Sequence, residues 1–109
     1  MTIRETAQFL GAEILQNDFE DAGLSSGYTS DLLSDVMAYA REGGALITIQ
    51  AHKNTVAVAT LVNISVIIVC NSRPVTDDMI ETAREEGIAV LRTRENQFTV
   101  SGRLYKLWH

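Results

Sequence analysis

The stretch GALITIQAHKNTVAVATLVNISVIIVCNSR, residues 44–73, decides the fold class of this chain. It holds two near-continuous apolar runs, Ala45–Gln50 and Ser65–Cys70, each of strand length and each followed by polar residues. Such runs are typical of strands that are buried on both faces of a parallel sheet. The segment between them predicts a helix that Asn54 or Thr55 caps, although its valines have some preference for strands. The stretch therefore predicts a strand–helix–strand unit.

The chain continues this alternation downstream. Helical spacing and a terminating glycine predict a helix between Thr76 and Gly87, followed by a strand over Ala89–Arg92 and a last helix over Asn96–Leu107. Four side chains of the last helix are available for packing, namely Phe98, Leu104, Tyr105 and Leu107. Gly102 in the same helix costs about 1 kcal/mol relative to alanine. A close contact with another helix would explain this glycine.

Upstream of the quoted stretch two helices are predicted. The first covers Ile3–Leu10 and precedes a short edge strand over Ala12–Leu15, and the polar segment Asp18–Tyr28 is interpreted as a long irregular connection. The second helix is expected to start at Ser30, which caps it, and to turn an apolar stripe toward the core. The residues of that stripe are Leu32, Leu33, Val36, Met37 and Ala40.

The composition bounds the size and class of the fold. The chain has 109 residues, of which 46% are apolar, 21% charged and 6% aromatic. Aliphatic side chains must therefore fill the interior, and they suit a parallel sheet with covering helices. We expect an α/β fold, a single small domain over residues 1–109 with a mostly parallel central sheet flanked by helices. Residues 1–28 form a less well defined N-terminal extension of that domain.

Charge and cysteine content exclude several partners. The formal net charge is −5, and the lysines and arginines are spread along the sequence. Binding of DNA or RNA requires a concentrated positive face, so we expect no nucleic-acid partner. The N-terminus lacks the blocks of a signal peptide, and a single cysteine excludes an internal disulfide. The apolar stretch 55–70 is shorter than the ~20 residues of a membrane span, so we expect a cytoplasmic protein with no membrane partner.

Polar loops follow the three predicted strands of the second half of the chain. In open parallel sheets, ligands bind beyond the carboxyl ends of the strands, where helix N-termini point their unpaired N–H groups. We therefore predict a site for a small anionic or nucleotide-like metabolite at these loops. Its residues are His52, Lys53, Asn54, Asn71, Ser72, Arg73, Thr93 and Arg94. The alternative is that these loops are polar only because they meet water.

No catalytic group is predicted. The imidazole of His52 could serve as a base, but no nucleophile is identified near it in the sequence. Cys70 closes a buried strand and is expected to behave as a small hydrophobe. A polar face on the second helix offers another surface for a ligand or metal, although paired carboxylates on an exposed helix are usually solvated. The residues of that face are Ser30, Asp31, Ser34 and Asp35.

Several cofactor motifs are missing from the sequence. Gly43 and Gly44 precede a strand, whereas a nucleotide-binding glycine loop follows a strand and opens a helix. One cysteine and two histidines do not supply the usual ligands of a zinc site or an iron–sulfur cluster. We therefore expect neither a metal nor a cofactor.

The segment from residue 30 to residue 109 resembles a known family. The resemblance rests on the order and spacing of SDLLSDVM, LITIQAH, AVATL and EEGIAVL. These stretches are similar to the DRTGG domain family, whose members resemble the N-terminal domain of HPr kinase/phosphorylase. The resemblance implies a small α/β domain that serves as a regulatory or accessory unit and is not itself catalytic. Residues Ala51–Asn54 depart from the Asp-Arg-Thr-Gly-Gly string that names the family.

Two functions of different classes remain open at this point. The first is a stand-alone regulatory module that binds a metabolite or a partner and forms a homodimer, because pairing protects a short edge strand. The alternative is a structural interaction subunit of a larger metabolic or redox enzyme complex. A third reading, an enzyme that acts on a small anionic substrate through His52, lacks an identified nucleophile.

Overall fold

Five strands and five helices follow one another along the chain, and the computed structural model describes all of residues 1–109. The strands are β1 Glu13–Gln16, β2 Gly27–Thr29, β3 Ala45–Thr48, β4 Val66–Val69 and β5 Ala89–Arg92. The helices are α1 Ile3–Leu10, α2 Leu33–Tyr39, α3 Lys53–Leu61, α4 Asp77–Glu86 and α5 Gln97–Trp108. No helix combines the length and the apolarity that crossing a bilayer requires.

All five strands belong to one sheet, in the order β1-β5-β4-β3-β2. Strands β2 to β5 run parallel to one another, and β1 pairs antiparallel with β5. The central strand β4 has the sequence VIIV, and all of its residues are buried. The predicted α/β fold with a mostly parallel sheet is confirmed.

Each face of the sheet has its own helical layer, because alternate residues of a strand point to opposite faces. On one face α1 and α5 cover the sheet, and Leu104 belongs to the same buried cluster as Ile68. On the other face α2, α3 and α4 cover it, and Val56 and Met79 cluster with Ile67. The core is aliphatic, as the composition indicates.

The prediction for the first helix is confirmed at both ends. The Thr2 hydroxyl accepts a hydrogen bond from the Glu5 N–H at 3.2 Å, and the Glu5 carboxylate accepts one from the Thr2 N–H at 2.8 Å. This reciprocal pair is a capping box. Gly11 ends α1 in the left-handed conformation at φ 66°, and Gly87 ends α4 in the same way at φ 69°.

The segment Asp18–Tyr28 is not irregular throughout, and this prediction is wrong at its end. Gly27–Thr29 form β2, which pairs in parallel with Ala45–Ile47 of β3. The strand is three residues long and has one large apolar side chain, that of Tyr28. A strand this short has too few residues to show an alternating pattern. Its presence makes β2 one of the two edges of the sheet.

The second helix begins later than predicted and buries less. It starts at Leu33, and the Ser30 hydroxyl accepts a hydrogen bond from the Leu32 N–H at 3.2 Å in the preceding turn. Ser30 is therefore not the cap. Of the predicted stripe only Val36 is fully buried, whereas Leu32 and Met37 are 65% and 48% exposed. Since α2 has only seven residues, only the side around Val36 reaches the sheet.

The last helix is also more exposed than predicted. Leu104 is buried together with Val100, but Phe98 and Tyr105 are 88% and 67% exposed. Leu107 is 39% exposed. At 3.6 residues per turn, positions 98 and 105 lie on the same side of α5, away from the buried side. The helix therefore carries a largely exposed aromatic stripe, in which the Tyr105 ring stacks on His109 with the ring centroids 4.3 Å apart.

Candidate functional site at the carboxyl-end rim of the sheet

The four parallel strands end at the same edge of the sheet, and the chain enters a helix after each of them. We call this edge the rim and define it by residues 30–31, 49–54, 71–73 and 93–97. Strands β3, β4 and β5 are neighbours, so the loops that follow them are adjacent. The predicted ligand-binding residues lie in these three loops and, for Lys53 and Asn54, in the first turn of α3.

The loop after β3 is shaped by His52. Its Nδ1 accepts a hydrogen bond from the Asn54 N–H at 3.2 Å, so His52 caps α3. The prediction that Asn54 or Thr55 provides the cap is therefore wrong. The Thr55 hydroxyl is buried and donates to the Gln50 carbonyl at 2.8 Å. His52, Lys53 and Asn54 are exposed at the start of the helix.

The loop after β4 contains an unusual backbone. Asn71 and Ser72 are consecutive residues with φ of 61° and 50°. This left-handed region is uncommon for residues other than glycine, and it persists where the surroundings enforce it. The Asn71 N–H donates to the Glu95 carbonyl at 3.0 Å, and the Ser72 N–H donates to the Thr93 carbonyl at 2.9 Å. The turn is thus fixed to the loop after β5, and the exposed side chain of Arg73 follows it.

In the loop after β5, some polar side chains bond to other parts of the chain and one is exposed to solvent. Thr93 is buried, and its hydroxyl accepts a hydrogen bond from the Glu95 N–H at 3.2 Å. The Glu95 carboxylate pairs with Arg103 of α5. Arg94 is exposed and, like Arg73, forms no ion pair. Thr93 is therefore a turn residue, whereas the two arginines are available at the surface.

Asp31 accepts several hydrogen bonds at the rim, but the sequence analysis did not place it in the ligand-binding set. Its Oδ1 accepts hydrogen bonds from the Thr48 hydroxyl and the Ile49 N–H, both at 2.9 Å. Its Oδ2 accepts one from the Gln97 amide at 3.1 Å. The Gln50 amide donates to the Asp31 backbone carbonyl at 3.0 Å. Asp31 thus joins the ends of β2 and β3 to the start of α5.

The carboxylate of Asp31 is held in its charged form. Partial burial opposes ionisation, but the hydrogen bonds from Ile49, Gln97 and Thr48 and the positive charge of Arg73 outweigh it. The pKa of Asp31 therefore lies below its ordinary value of 3.8. These hydrogen bonds and the nearby guanidinium of Arg73 compensate the negative charge of Asp31 within the rim.

The polar face predicted for the second helix does not form one surface. Ser30 and Asp31 precede α2, and Asp31 turns to the ends of the strands. Ser34 is exposed, whereas the Asp35 carboxylate accepts a hydrogen bond from the Tyr28 hydroxyl at 2.7 Å. Asp31 was placed on a helix because β2 was not recognised. Had β2 been recognised, the position of Asp31 just after that strand would have indicated that Asp31 lies at the rim.

Two further groups at the rim bear on its chemistry. Gln97 Oε1 is a buried acceptor with no hydrogen-bond partner, and a group that donates a hydrogen bond would satisfy it. Cys70 directly follows β4 and is fully buried. Burial, with the negative charges of Asp31 and Glu95, raises the pKa of Cys70 to about 11, so the thiol is protonated at neutral pH. No group of three or more His, Cys, Asp or Glu side chains is placed to hold a metal ion.

A concave surface apart from the rim lies along the outer edge of β2, between α2 and α5. This groove has a volume of about 960 Å³ and is lined by none of the predicted ligand-binding residues. We call it the β2 groove. Its aromatic lining consists of Tyr28, Tyr39, Phe98, Tyr105 and Trp108. The indole Nε1 of Trp108 is buried there without a hydrogen-bond partner.

Fold and rim together define a small α/β domain in which helices follow parallel strands around one polar sheet edge. The family model of the DRTGG domain matches residues 5–107. The chain belongs to the DRTGG domain family. The match begins in α1 and ends in α5, so it also includes residues 5–29, which lie outside the resemblance seen in the sequence. A comparison with curated proteins finds no match.

One solved structure is similar over nearly the whole chain. It contains the CBS and DRTGG domains of the regulatory region of Clostridium perfringens pyrophosphatase, complexed with the activator diadenosine tetraphosphate. The TM-score is 0.74 at 18% sequence identity, over 94% of this chain and 45% of that one. This chain therefore spans less than half the length of that structure. The likeness shows a shared fold.

Proposed function

We propose that this chain is a regulatory binding module that takes a small anionic or nucleotide-like metabolite at the rim and has no catalytic machinery of its own. The observation that carries the proposal is that Arg73 and Arg94, both without ion-pair partners, leave adjacent strands at one sheet edge. In a chain with a net charge of −5, two exposed arginines at one sheet edge favour the binding of an anion, and the positive charge of Arg73 also acts on Asp31.

The helix ends at the rim support an anionic ligand and indicate where it binds. The positive ends of α3, α4 and α5 all lie at this edge. The first turn of α4 contains Asp77 and Asp78, whereas the first turns of α3 and α5 contain no acidic residue. We therefore place the anionic group nearer the starts of α3 and α5, within reach of Lys53 and Arg94.

The polar groups around Asp31 support a ligand that also donates hydrogen bonds. Gln97 Oε1 is an unpaired acceptor beside the Asp31 carboxylate. A nucleotide offers both kinds of group, since its phosphates are anionic and its sugar and base carry O–H or N–H donors. The similar regulatory region of the pyrophosphatase is complexed with diadenosine tetraphosphate, which has this combination.

The state of the reactive side chains supports a module without catalysis. Nδ1 of His52 is engaged in capping α3. The thiol of Cys70 is buried and protonated at neutral pH. No nucleophile and base therefore face one another at the rim.

We propose further that the module is a cytoplasmic homodimer and acts as one domain over residues 1–109. The alternative, a structural interaction subunit of a metabolic or redox enzyme complex, is favoured by one observation. Several exposed aromatic side chains lie together along the β2 groove, and such clusters occur at interaction surfaces.

Thermal unfolding in the presence of inorganic pyrophosphate, ATP or diadenosine tetraphosphate tests the proposed function. A ligand at 100 times its Kd stabilises the native state by about 2.7 kcal/mol, which raises Tm by roughly 10 °C or more in a domain of this size. We expect such a rise with at least one of the two nucleotides. The double variant Arg73→Ala/Arg94→Ala should lose it.

The matched control is Arg84→Ala, because Arg84 lies at the far end of α4 and pairs only with exposed Glu81. It should keep the full rise in Tm. A shift that survives in the rim double variant would place the ligand elsewhere. If none of the three compounds changes Tm, the structural-subunit alternative becomes the better account.

A further inference from the structure

The two edges of the sheet are protected to different degrees. At β1 the pairing with β5 is irregular between Ile14 and Gln16, and Glu13 carries a charge that pairs with Arg92. Irregular pairing and charged side chains are features that keep an edge from pairing with another chain. At β2, Gly27–Thr29 contain no charge and no proline, and their pairing with β3 is regular. The edge at β2 is therefore open to another strand.

The outward-facing backbone groups of β2 follow from its pairing with β3. The Ser26 carbonyl accepts from the Ala45 N–H, and the Ser30 N–H donates to the Ile47 carbonyl. Because backbone groups alternate in direction along a strand, those of Gly27 and Thr29 point away from the sheet. Two N–H groups and two carbonyl groups are thus free at this edge.

These four groups are complementary to themselves. If a second β2 lies antiparallel to the first, with a two-fold axis beside Tyr28, Gly27 faces Thr29 of the second copy. In an antiparallel hydrogen-bonded pair both residues exchange their N–H···O bonds. The same pairing recurs on the other side of the axis, as the symmetry of a dimer requires. All four groups are then satisfied.

The aromatic side chains of the β2 groove supply more than half of the area that a dimer interface of standard size needs. Tyr39, Phe98 and Tyr105 line the groove and are 69%, 88% and 67% exposed. At about 200 Å² for an aromatic side chain, these three present about 450 Å² per copy. A stable interface of standard size buries about 800 Å² per partner. The strand edge and the other residues of the groove add further area.

Gly102 lies on the same side of α5 as the exposed aromatic side chains. No contact within the single chain explains why a glycine occupies this position. It lies mid-helix in α5 and lines the groove, and a Cβ added there would meet nothing within 4 Å. Glycine is the poorest helix former apart from proline. A glycine allows another backbone to approach closely. The close helix contact that would explain Gly102 does not occur within the chain, so this explanation requires a second chain.

The charge of the groove favours a second copy over a charged peptide. Arg41 and Glu42 are the only lysine, arginine, aspartate or glutamate residues of its lining. Their charges cancel, although the chain as a whole carries −5. Two copies can therefore meet at this surface without repulsion between like charges. We propose that the β2 groove is a homodimer interface, in which β2 pairs antiparallel with β2 of a second copy and the α5 helices pack through Gly102 and the aromatic stripe.

Sedimentation velocity of the full chain and of Gly102→Lys tests the proposal. The variant places a long side chain where the single chain has open space, so the fold is retained and the partner helix is excluded. We expect wild type to be dimeric in the micromolar range and the variant to be monomeric, with a dissociation constant at least about tenfold higher. The matched control is Gly23→Lys, at another exposed glycine with no contact within 4 Å and outside the groove. It should dimerise like wild type.

A second variant and two further signals make the result specific. Phe98→Ser should also weaken the dimer, because it removes an exposed aromatic side chain without disturbing the core. Trp108 is the only tryptophan and lines the groove, so its emission should change on dilution of wild type. The amides of Gly27 and Thr29 should be protected from hydrogen exchange in the dimer and exchange rapidly in Gly102→Lys.

The interface is independent of the ligand proposed at the rim. Arg73→Ala/Arg94→Ala should dimerise like wild type even where it no longer responds to a nucleotide. Wild type that stays monomeric up to millimolar concentration would overturn the dimer. A Gly102→Lys dimer as tight as that of Gly23→Lys, or rapid exchange of the Gly27 and Thr29 amides in the dimer, would overturn the interface.

Discussion

Asp31 is the residue on which the geometry of the rim depends most. Its carboxylate accepts hydrogen bonds from Thr48, Ile49 and Gln97, and these residues belong to the end of β3 and the start of α5. Replacing it with asparagine turns one oxygen into a donor that faces the donating amide of Gln97. A hydrogen bond to a charged group contributes about 1.5–3 kcal/mol, and Asp31 is only partly buried.

We predict that Asp31→Asn lowers the free energy of unfolding by on the order of 2 kcal/mol at neutral pH, measured by urea denaturation. Asp31 has a folded-state pKa below 3.8, so its stabilising effect is present above that value and is lost as the pH falls through the folded pKa. The difference between wild type and variant should therefore be constant from neutral pH to about pH 5 and should shrink below the ordinary aspartate pKa. A difference that does not change on acidification would contradict this role.

The control for Asp31 is Asp77→Asn. Asp77 is exposed in the first turn of α4, where the helix dipole favours a negative charge, and its side chain forms no ion pair. Its replacement should cost less than about 1 kcal/mol. A loss equal to that of Asp31→Asn would mean that the hydrogen bonds at the rim add nothing to stability.

At the level of the elements, two glycines in helices have opposite roles. Gly87 ends α4 at φ 69°, a conformation that a side chain strains, whereas Gly102 lies within α5 with open space around it. We predict that Gly87→Ala lowers the free energy of unfolding by about 1 kcal/mol or more. Gly102→Ala should raise it by about 0.5–1 kcal/mol when measured at concentrations at which the protein is monomeric. Equal effects of the two variants in urea denaturation would contradict these roles.

The elements that the sequence predicts well are those whose signals are local. The run VIIV of β4 is buried on both faces, and the Thr2 capping box with Gly11 sets both ends of α1. β2 was missed because an edge strand of three residues has no pattern to recognise. The sequence indicates only that Phe98 and Tyr105 are available for packing, because apolar character does not distinguish the buried side of a helix from an exposed one.

At the scale of the whole molecule, parallel topology explains why part of the rim was predictable. Loops that follow neighbouring parallel strands must meet at one edge, so the positions of Arg73 and Arg94 follow from the fold class. The contact between Asp31 and Gln97 does not, because it joins residues 66 positions apart through an unrecognised strand. The strand order β1-β5-β4-β3-β2 likewise depends on contacts that no local pattern encodes.

Mapping of backbone amide shifts by two-dimensional NMR during titration with diadenosine tetraphosphate tests the central claim most directly. The regulatory module proposed here predicts saturable shifts concentrated in the loops after β3, β4 and β5, at residues 52–54, 71–73 and 93–94, and their loss in Arg73→Ala/Arg94→Ala. Saturable shifts confined to the opposite edge of the sheet or to the β2 groove, or no shifts at millimolar ligand, would contradict it.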